Sequence, residues 1–202
     1  MKLHSFAQTI LLSAFLLTTA FAQNLLLNGS FETGGLANWN PTGNVRADIT
    51  VPPAGDGQYH VSFSWGDVEP NNGIISQTFS TTPGETYRLS FQYAVNGNPN
   101  VIQTLGVSVS GLGVHLLESL EKDHIQFGVF EGYERFEFPF VADSATTTLR
   151  FQDQSSVSFR IDILLDDVSV TAVPEESTYA AAITLLGLVG WQRRRKASLR
   201  NK

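Results

Sequence analysis

The sequence has 202 residues and no cysteine, and 19 acidic against 13 basic residues give a net charge of −6. This length predicts one domain with terminal appendages. The lack of cysteine excludes disulfides, thiolate zinc sites and cysteine nucleophiles. The acidic balance argues against a nucleic-acid partner. Residues 23–178 hold all 19 acids and six bases, so this stretch carries −13 between apolar, base-flanked ends, which is typical of an exported protein.

Residues 1–22 have the features of a secretory signal helix. Lys2 precedes an apolar run from Phe6 to Leu17, and Ala20-Phe21-Ala22 supplies the small residues that signal peptidase requires. We therefore expect signal peptidase to cleave after Ala22. An uncleaved anchor helix is the alternative, which the short apolar run disfavours.

Residues 23–172 alternate apolar and polar side chains with a period of two, which predicts half-buried strands. The predicted strands lie at residues 25–31, 59–63, 74–79, 87–95, 107–110, 135–140, 148–152 and 159–170. Residues 114–122 are the one short helical candidate. In residues 159–170 the apolar side chains change from odd to even positions near Leu164, which predicts a bulge or a break there.

This pattern predicts an all-β domain over residues 23–172. Eight to ten strands with one buried face each, separated by turns rich in glycine, proline and asparagine, indicate an antiparallel two-sheet jelly-roll sandwich. A domain of about 150 residues buries roughly 68–70% of its unfolded surface, so it can fold without disulfides.

Residues 173–202 contain an apolar run followed by a basic tail. The 16 uncharged residues from Ser177 to Gln192 would form a helix about 24 Å long, against about 30 Å for a hydrocarbon core. We expect a short transmembrane helix at residues 178–192, with the tail 193–202 cytoplasmic. A buried helix of a soluble domain is the alternative, which four consecutive bases disfavour.

This C-terminal segment resembles the PEP-CTERM sorting signal of exopolysaccharide-producing Gram-negative bacteria. The matching residues are Val173, Pro174, Glu175, Ser177, Thr178, Arg193, Arg194, Arg195 and Lys196. The resemblance implies transient anchoring in the inner membrane, processing by an exosortase, and delivery to the cell surface or extracellular space. Glu176 stands where the family usually has a proline, which would hold the segment extended.

The body resembles galactose-binding-like jelly rolls, related to DUF642 domains and to carbohydrate-binding modules of families 4, 9 and 22. The opening motif NLLLNGSFE at 24–32, the middle at 75–91 and the closing motif LDDVSV at 165–170 carry the resemblance. It implies the fold and leaves the ligand open.

The resemblance also implies a structural Ca²⁺ that joins the first and last strands. Glu32 and Asp166 match the family's positions, and the turn around Asp56 would add carbonyl oxygens. Asp166 shares parity with Val168, so it is predicted to point inward, where a carboxylate needs a partner. The alternative is that Asp166 accepts backbone hydrogen bonds or pairs with an arginine.

Sugar binding would place an aromatic face against a sugar ring, flanked by amides. The candidates are Trp65, Tyr59, Asn71 and Asn72. The alternative is that the aromatic residues are core, which we expect for Trp39.

The sequence offers little for catalysis, since the histidines lack metal-ligand spacing and no Gly-x-Ser-x-Gly elbow occurs. We therefore predict a non-enzymatic, exported matrix protein that binds or associates with exopolysaccharide. The charge of −13 favours a neutral sugar or a Ca²⁺-bridged contact. A structural or adhesive protein without a sugar site is the alternative, and a glycan-active enzyme is less favoured.

Overall fold

The computed structural model describes residues 23–48, 53–63, 72–126, 129–157 and 160–174. The predicted signal helix and the predicted sorting segment from residue 175 onward lie outside these ranges. None of the described residues belongs to a helix long and apolar enough to cross a membrane.

The described residues form ten strands. These are β1 (Asn40–Thr42), β2 (Val45–Asp48), β3 (His60–Phe63), β4 (Ile74–Ser80), β5 (Thr86–Gly97), β6 (Gln103–Ser110), β7 (Val114–Lys122), β8 (Glu134–Val141), β9 (Thr146–Asp153) and β10 (Ile161–Ala172). Sheet A has the order β1-β4-β9-β6-β7, and sheet B has the order β2-β3-β10-β5-β8, with every pairing antiparallel. The predicted all-β architecture of two antiparallel sheets is confirmed, and its strand exchange between sheets is that of a jelly-roll sandwich.

Two local predictions were wrong. Residues 114–122 form strand β7, because pairing along the whole of β6 overrides the weak helical signal. Residues 25–31 are irregular, although they lie alongside β10: Leu25 N–H donates to Val170 O at 2.8 Å, and Val168 N–H donates to Gly29 O at 2.9 Å.

The core lies between the inner faces of the two sheets, where aromatic rings pack against one another. Phe91 is fully buried and meets Phe151 edge-on, with their ring centroids 5.1 Å apart. Trp39 is in the core as predicted, 5.6 Å from the ring of Phe31, and its Nε1–H donates to Asn28 O at 3.0 Å. The N-terminal segment is therefore packed into the core although it forms no strand.

A bulge in β10 corrects the predicted direction of Asp166. The register with β5 shifts between Asp166 and Ser169, so the parity of Val168 does not extend back to Asp166. Leu165, which pairs with Tyr93, points into the core. The next residue along the strand, Asp166, pairs with Gln92 and therefore lies on the outer face of sheet B. The sequence predicted an irregularity near Leu164, a few residues before the observed bulge.

Candidate functional site

The outer face of sheet A is a polar surface built from three central strands. Apart from Arg150, and from Ile74 at one end, its outward positions on β4, β6 and β9 are serine, threonine, glycine and glutamine. Arg150 is the one charged residue among the outward positions of these three strands, and it pairs with Ser76 on one side and Ser108 on the other. Strand β7 adds Leu117, which is 71% exposed, opposite Ser108.

A small surface pocket lies on this face. It is lined by Gly106, Val107, Ser108, Leu117, Arg150, Gln152 and Gln154. A Cβ at Gly106 would lie 2.4 Å from Nε2 of Gln154, so glycine allows the Gln154 side chain to lie across β6. Gln154 Oε1 also accepts a hydrogen bond from Ser119 Oγ at 3.0 Å, which holds this amide beside the pocket.

Arg150 differs from the other arginines of the described chain. It is half-buried, and its side chain forms no hydrogen bond or ion pair with another described residue. Each of three other arginines has an acidic partner: Arg46 pairs with Asp48 at 2.6 Å, Arg88 lies 3.6 Å from Glu137, and Arg135 pairs with Asp167. The donors of Arg150 are therefore free to meet a ligand in the pocket.

Glu32, for which the resemblance implies a calcium ligand, anchors a loop. Its Oε1 accepts the backbone N–H groups of Gln58 at 2.8 Å and Tyr59 at 2.7 Å. The carboxylate thus joins the N-terminal segment to the residues that lead into β3.

Asp166 also holds this loop. It is fully buried, its Oδ2 accepts the N–H of Asp56 at 2.8 Å, and its Oδ1 accepts the N–H of Asp167 at 2.7 Å. Burial raises the pKa of Asp166 to about 6, against the lowering effect of these backbone hydrogen bonds. The structure therefore brings Glu32, Asp56 and Asp166 to one loop.

Asp166 makes the backbone hydrogen bonds of the alternative stated for it, and Glu32 makes similar ones. Ca²⁺ takes six to eight oxygen ligands, whereas Asp166 uses both oxygens, and Glu32 one, to accept N–H groups. Within the described ranges no group of three or more histidine or carboxylate side chains is placed to hold a metal. Calcium stays a prediction from the resemblance.

Near Asp166, part of the outer face of sheet B is closed to solvent. His60, Ser62 and Tyr133 each bury a polar atom that finds no partner among the described residues. Burial lowers the pKa of His60, although the nearby Asp48 opposes this, and burial also raises the pKa of Tyr133. Part of the outer face of sheet B is therefore covered, whereas the outer face of sheet A is open. Sheet A is the better candidate for a binding surface.

The residues predicted for sugar binding do not form one described cluster. Tyr59 is half-buried at the start of β3. Asn72 is exposed, and its Oδ1 accepts the N–H of Asn44, which leads into the pairing of β2 with the far end of β3. These two side chains therefore lie at opposite ends of β3, about 13 Å apart along the strand. The other two candidates, Trp65 and Asn71, lie outside the described residues.

Sequence analysis missed the long polar side chains of β9. Arg150 and Gln152 occupy polar positions of the strand predicted at 148–152, where the flanking outward positions hold threonine. Two long hydrogen-bonding side chains on an otherwise short-chained face were the available signal. What the sequence could not supply was the register that sets them beside Gly106 and Ser108.

Comparison with known proteins places the fold. A family described as a carbohydrate binding domain matches residues 23–156, and no curated protein matches the chain. Among solved structures, the chain is similar to TmCBM61 in complex with beta-1,4-galactotriose, with a TM-score of 0.57 and 23% identity over 75% of this chain and 100% of that one.

Two larger proteins contain a similar region. The arabinose-bound MgGH51 α-L-arabinofuranosidase matches with a TM-score of 0.53 and 15% identity, over 74% of this chain and 26% of that one. The enzymatically active domain of bacteriophage CBA120 tailspike protein 4 matches with a TM-score of 0.50 and 19% identity, over 74% of this chain and 21% of that one. At these identities the likeness shows the fold alone.

Proposed function

We propose that this chain, which belongs to the family of carbohydrate binding domains, binds a polysaccharide on the outer face of sheet A. The observation that carries the proposal is the pocket in which Arg150, Gln152 and Gln154 converge on an open, polar sheet face. Amide and guanidinium groups fix sugar hydroxyls by hydrogen bonds, and the exposed Leu117 offers an apolar contact for the C–H face of a ring. The binding is non-catalytic.

Replacing Gln152 by alanine should weaken glycan binding about tenfold, because its side chain forms no hydrogen bond within the described chain and is free to bind sugar. Isothermal titration calorimetry against a panel of soluble glycans, including beta-1,4-galactan, measures the affinity. Gln126→Ala is the matched control, since Gln126 is exposed and lies outside the pocket. Equal affinities for the wild type and Gln152→Ala would place the glycan elsewhere.

The predicted aromatic contact remains part of the proposal. Trp65, with Asn71 and Asn72, would supply a second contact for the glycan, and Tyr59 at the other end of β3 a separate one, because the outward positions of the described strands of sheet A carry no phenylalanine, tyrosine or tryptophan ring. Trp65→Ala in the same titration tests this contact, and an unchanged affinity removes it from the site.

We propose further that the protein is exported and sorted. The signal features of residues 1–22 and the resemblance of residues 173–202 to a PEP-CTERM signal support cleavage by signal peptidase, a transient inner-membrane stage, and processing by an exosortase. The mature protein would then reside at the cell surface or in the extracellular matrix with exopolysaccharide. Mass spectrometry of the mature protein tests this, and a chain with both ends intact contradicts it.

A structural or adhesive role without a sugar site is the second candidate function, and a lack of glycan binding in the titrations would favour it.

We propose the loop held by Glu32 and Asp166 as the place of the Ca²⁺ that the resemblance implies. Ca²⁺ should then raise the melting temperature and EDTA should lower it, because a ligand that binds only the folded state stabilises it. Asp166→Asn should remove the response. Identical melting with Ca²⁺ and with EDTA would leave the two carboxylates with the hydrogen-bonding role alone.

A further inference from the structure

We propose that the outer face of sheet A selects an acidic polysaccharide, and that Arg150 binds the carboxylate of a uronic acid residue. This inference rests on the proposed function and assigns the charge of the ligand at that same site. It also departs from the expectation that the acidic body favours a neutral sugar.

The first argument is the state of Arg150. The residue is half-buried, its guanidinium has no carboxylate, carbonyl or hydroxyl partner in the described chain, and none of its nitrogens is a buried atom without a partner. The guanidinium is therefore held at the sheet face with its donors accessible to an anion. The planar guanidinium presents paired N–H donors that match the two oxygens of a carboxylate, and such bidentate contacts are stronger than bonds to neutral hydroxyls.

The second argument is the set of neighbours around Arg150. On the same face lie the hydroxyl of Ser108, the amide of Gln152 and the amide of Gln154, all at the pocket. These neutral groups hydrogen-bond sugar hydroxyls without competing for the guanidinium as a carboxylate side chain would. The site therefore holds one fixed positive charge among neutral donors and acceptors, which suits one anionic group per sugar residue.

The third argument concerns the charge of the whole body. Although residues 23–178 carry −13, charges beyond about 8 Å are largely screened at physiological ionic strength. Two acidic residues lie on the neighbouring strand β7. Glu118 pairs with Val107 and shares the inward parity of Leu116 and Leu120, whereas Glu121, on the outer face, pairs with Thr104, four positions along β6 from Ser108. That separation is about 13 Å along the strand. A ligand carboxylate at Arg150 is thus attracted by the nearby guanidinium more strongly than it is repelled by the distant acidic residues.

The test measures binding of the purified chain to oligogalacturonate and to the same oligomer with its carboxyls methyl-esterified, with EDTA present to exclude calcium bridges. We expect the acid form to bind about 10- to 100-fold more tightly than the ester. Arg150→Met should abolish this difference, because it should weaken binding of the acid form far more than binding of the ester. Arg150→Lys should retain part of it, because the charge remains while the paired donors are lost.

Arg88→Met is the matched control, since Arg88 is exposed on sheet B, and it should keep the full preference. Circular dichroism melting establishes that each variant is folded. Equal affinity for acid and ester, or an Arg150→Met variant that keeps the preference, overturns the inference while glycan binding itself stands. Tighter binding of a sulfated chain than of the uronate chain also overturns it. If no glycan binds at all, the proposed function fails and this inference fails with it.

Discussion

Replacing Phe91 by alanine should lower the free energy of unfolding by about 3–5 kcal/mol. Phe91 is fully buried at the centre of β5, it meets Phe151 of the opposite sheet edge-on at 5.1 Å, and it stacks on Phe136 and Phe138 of β8 at 5.8 and 6.2 Å. Truncation removes an aromatic contact between the two sheets and leaves a cavity that rigid strands cannot close.

Urea denaturation of the purified protein measures this effect, and the midpoint of thermal unfolding should fall by roughly 10 °C. Leu112→Ala is the control, because Leu112 is 87% exposed in the β6–β7 turn and its truncation should change stability by less than about 0.5 kcal/mol. A loss for Phe91→Ala no larger than that of Leu112→Ala would mean that the ring does not bridge the sheets.

The strands that the sequence predicted well are those with one face in the core. In residues 87–95 the alternation is clear because every second side chain, such as Leu89 and Tyr93, is fully buried between the sheets. Strand β7 was missed because it is an edge strand whose two faces are both partly exposed. Burial therefore leaves too little contrast for a period of two to emerge.

The candidate site was harder to predict because it depends on pairing between distant strands. Arg150 meets Ser108 through the β6–β9 register, over 42 positions of chain, and no local pattern encodes that pairing. The direction of Asp166 was predicted wrongly for a related reason. A single bulge reverses parity, and sequence analysis indicated that an irregularity exists without placing it to the residue.

Replacing Gly29 by alanine should destabilise the protein by about 3 kcal/mol, at the upper end of overpacking effects. A Cβ at Gly29 would lie 2.0 Å from the carbonyl oxygen of Val168 and 3.1 Å from its carbon, and backbone atoms of a paired strand cannot rotate away. The N-terminal segment would have to move off β10. The movement would break the bond from Val168 N–H to Gly29 O and draw the buried Phe31 out of the core.

Gly35→Ala provides the matched control within the same segment, because a Cβ at Gly35 meets no atom within 4 Å. This variant should be neutral or slightly more stable, since alanine restricts the unfolded chain. Amide hydrogen exchange then localises the effect. In Gly29→Ala, protection should be lost at Val168 and at Val170, whose N–H donates to the side chain of Asn24 at 2.9 Å. Equal stability of the two variants would show that the opening glycine is not required for close approach to β10, and that the N-terminal segment is held by Asn24 and Trp39 instead.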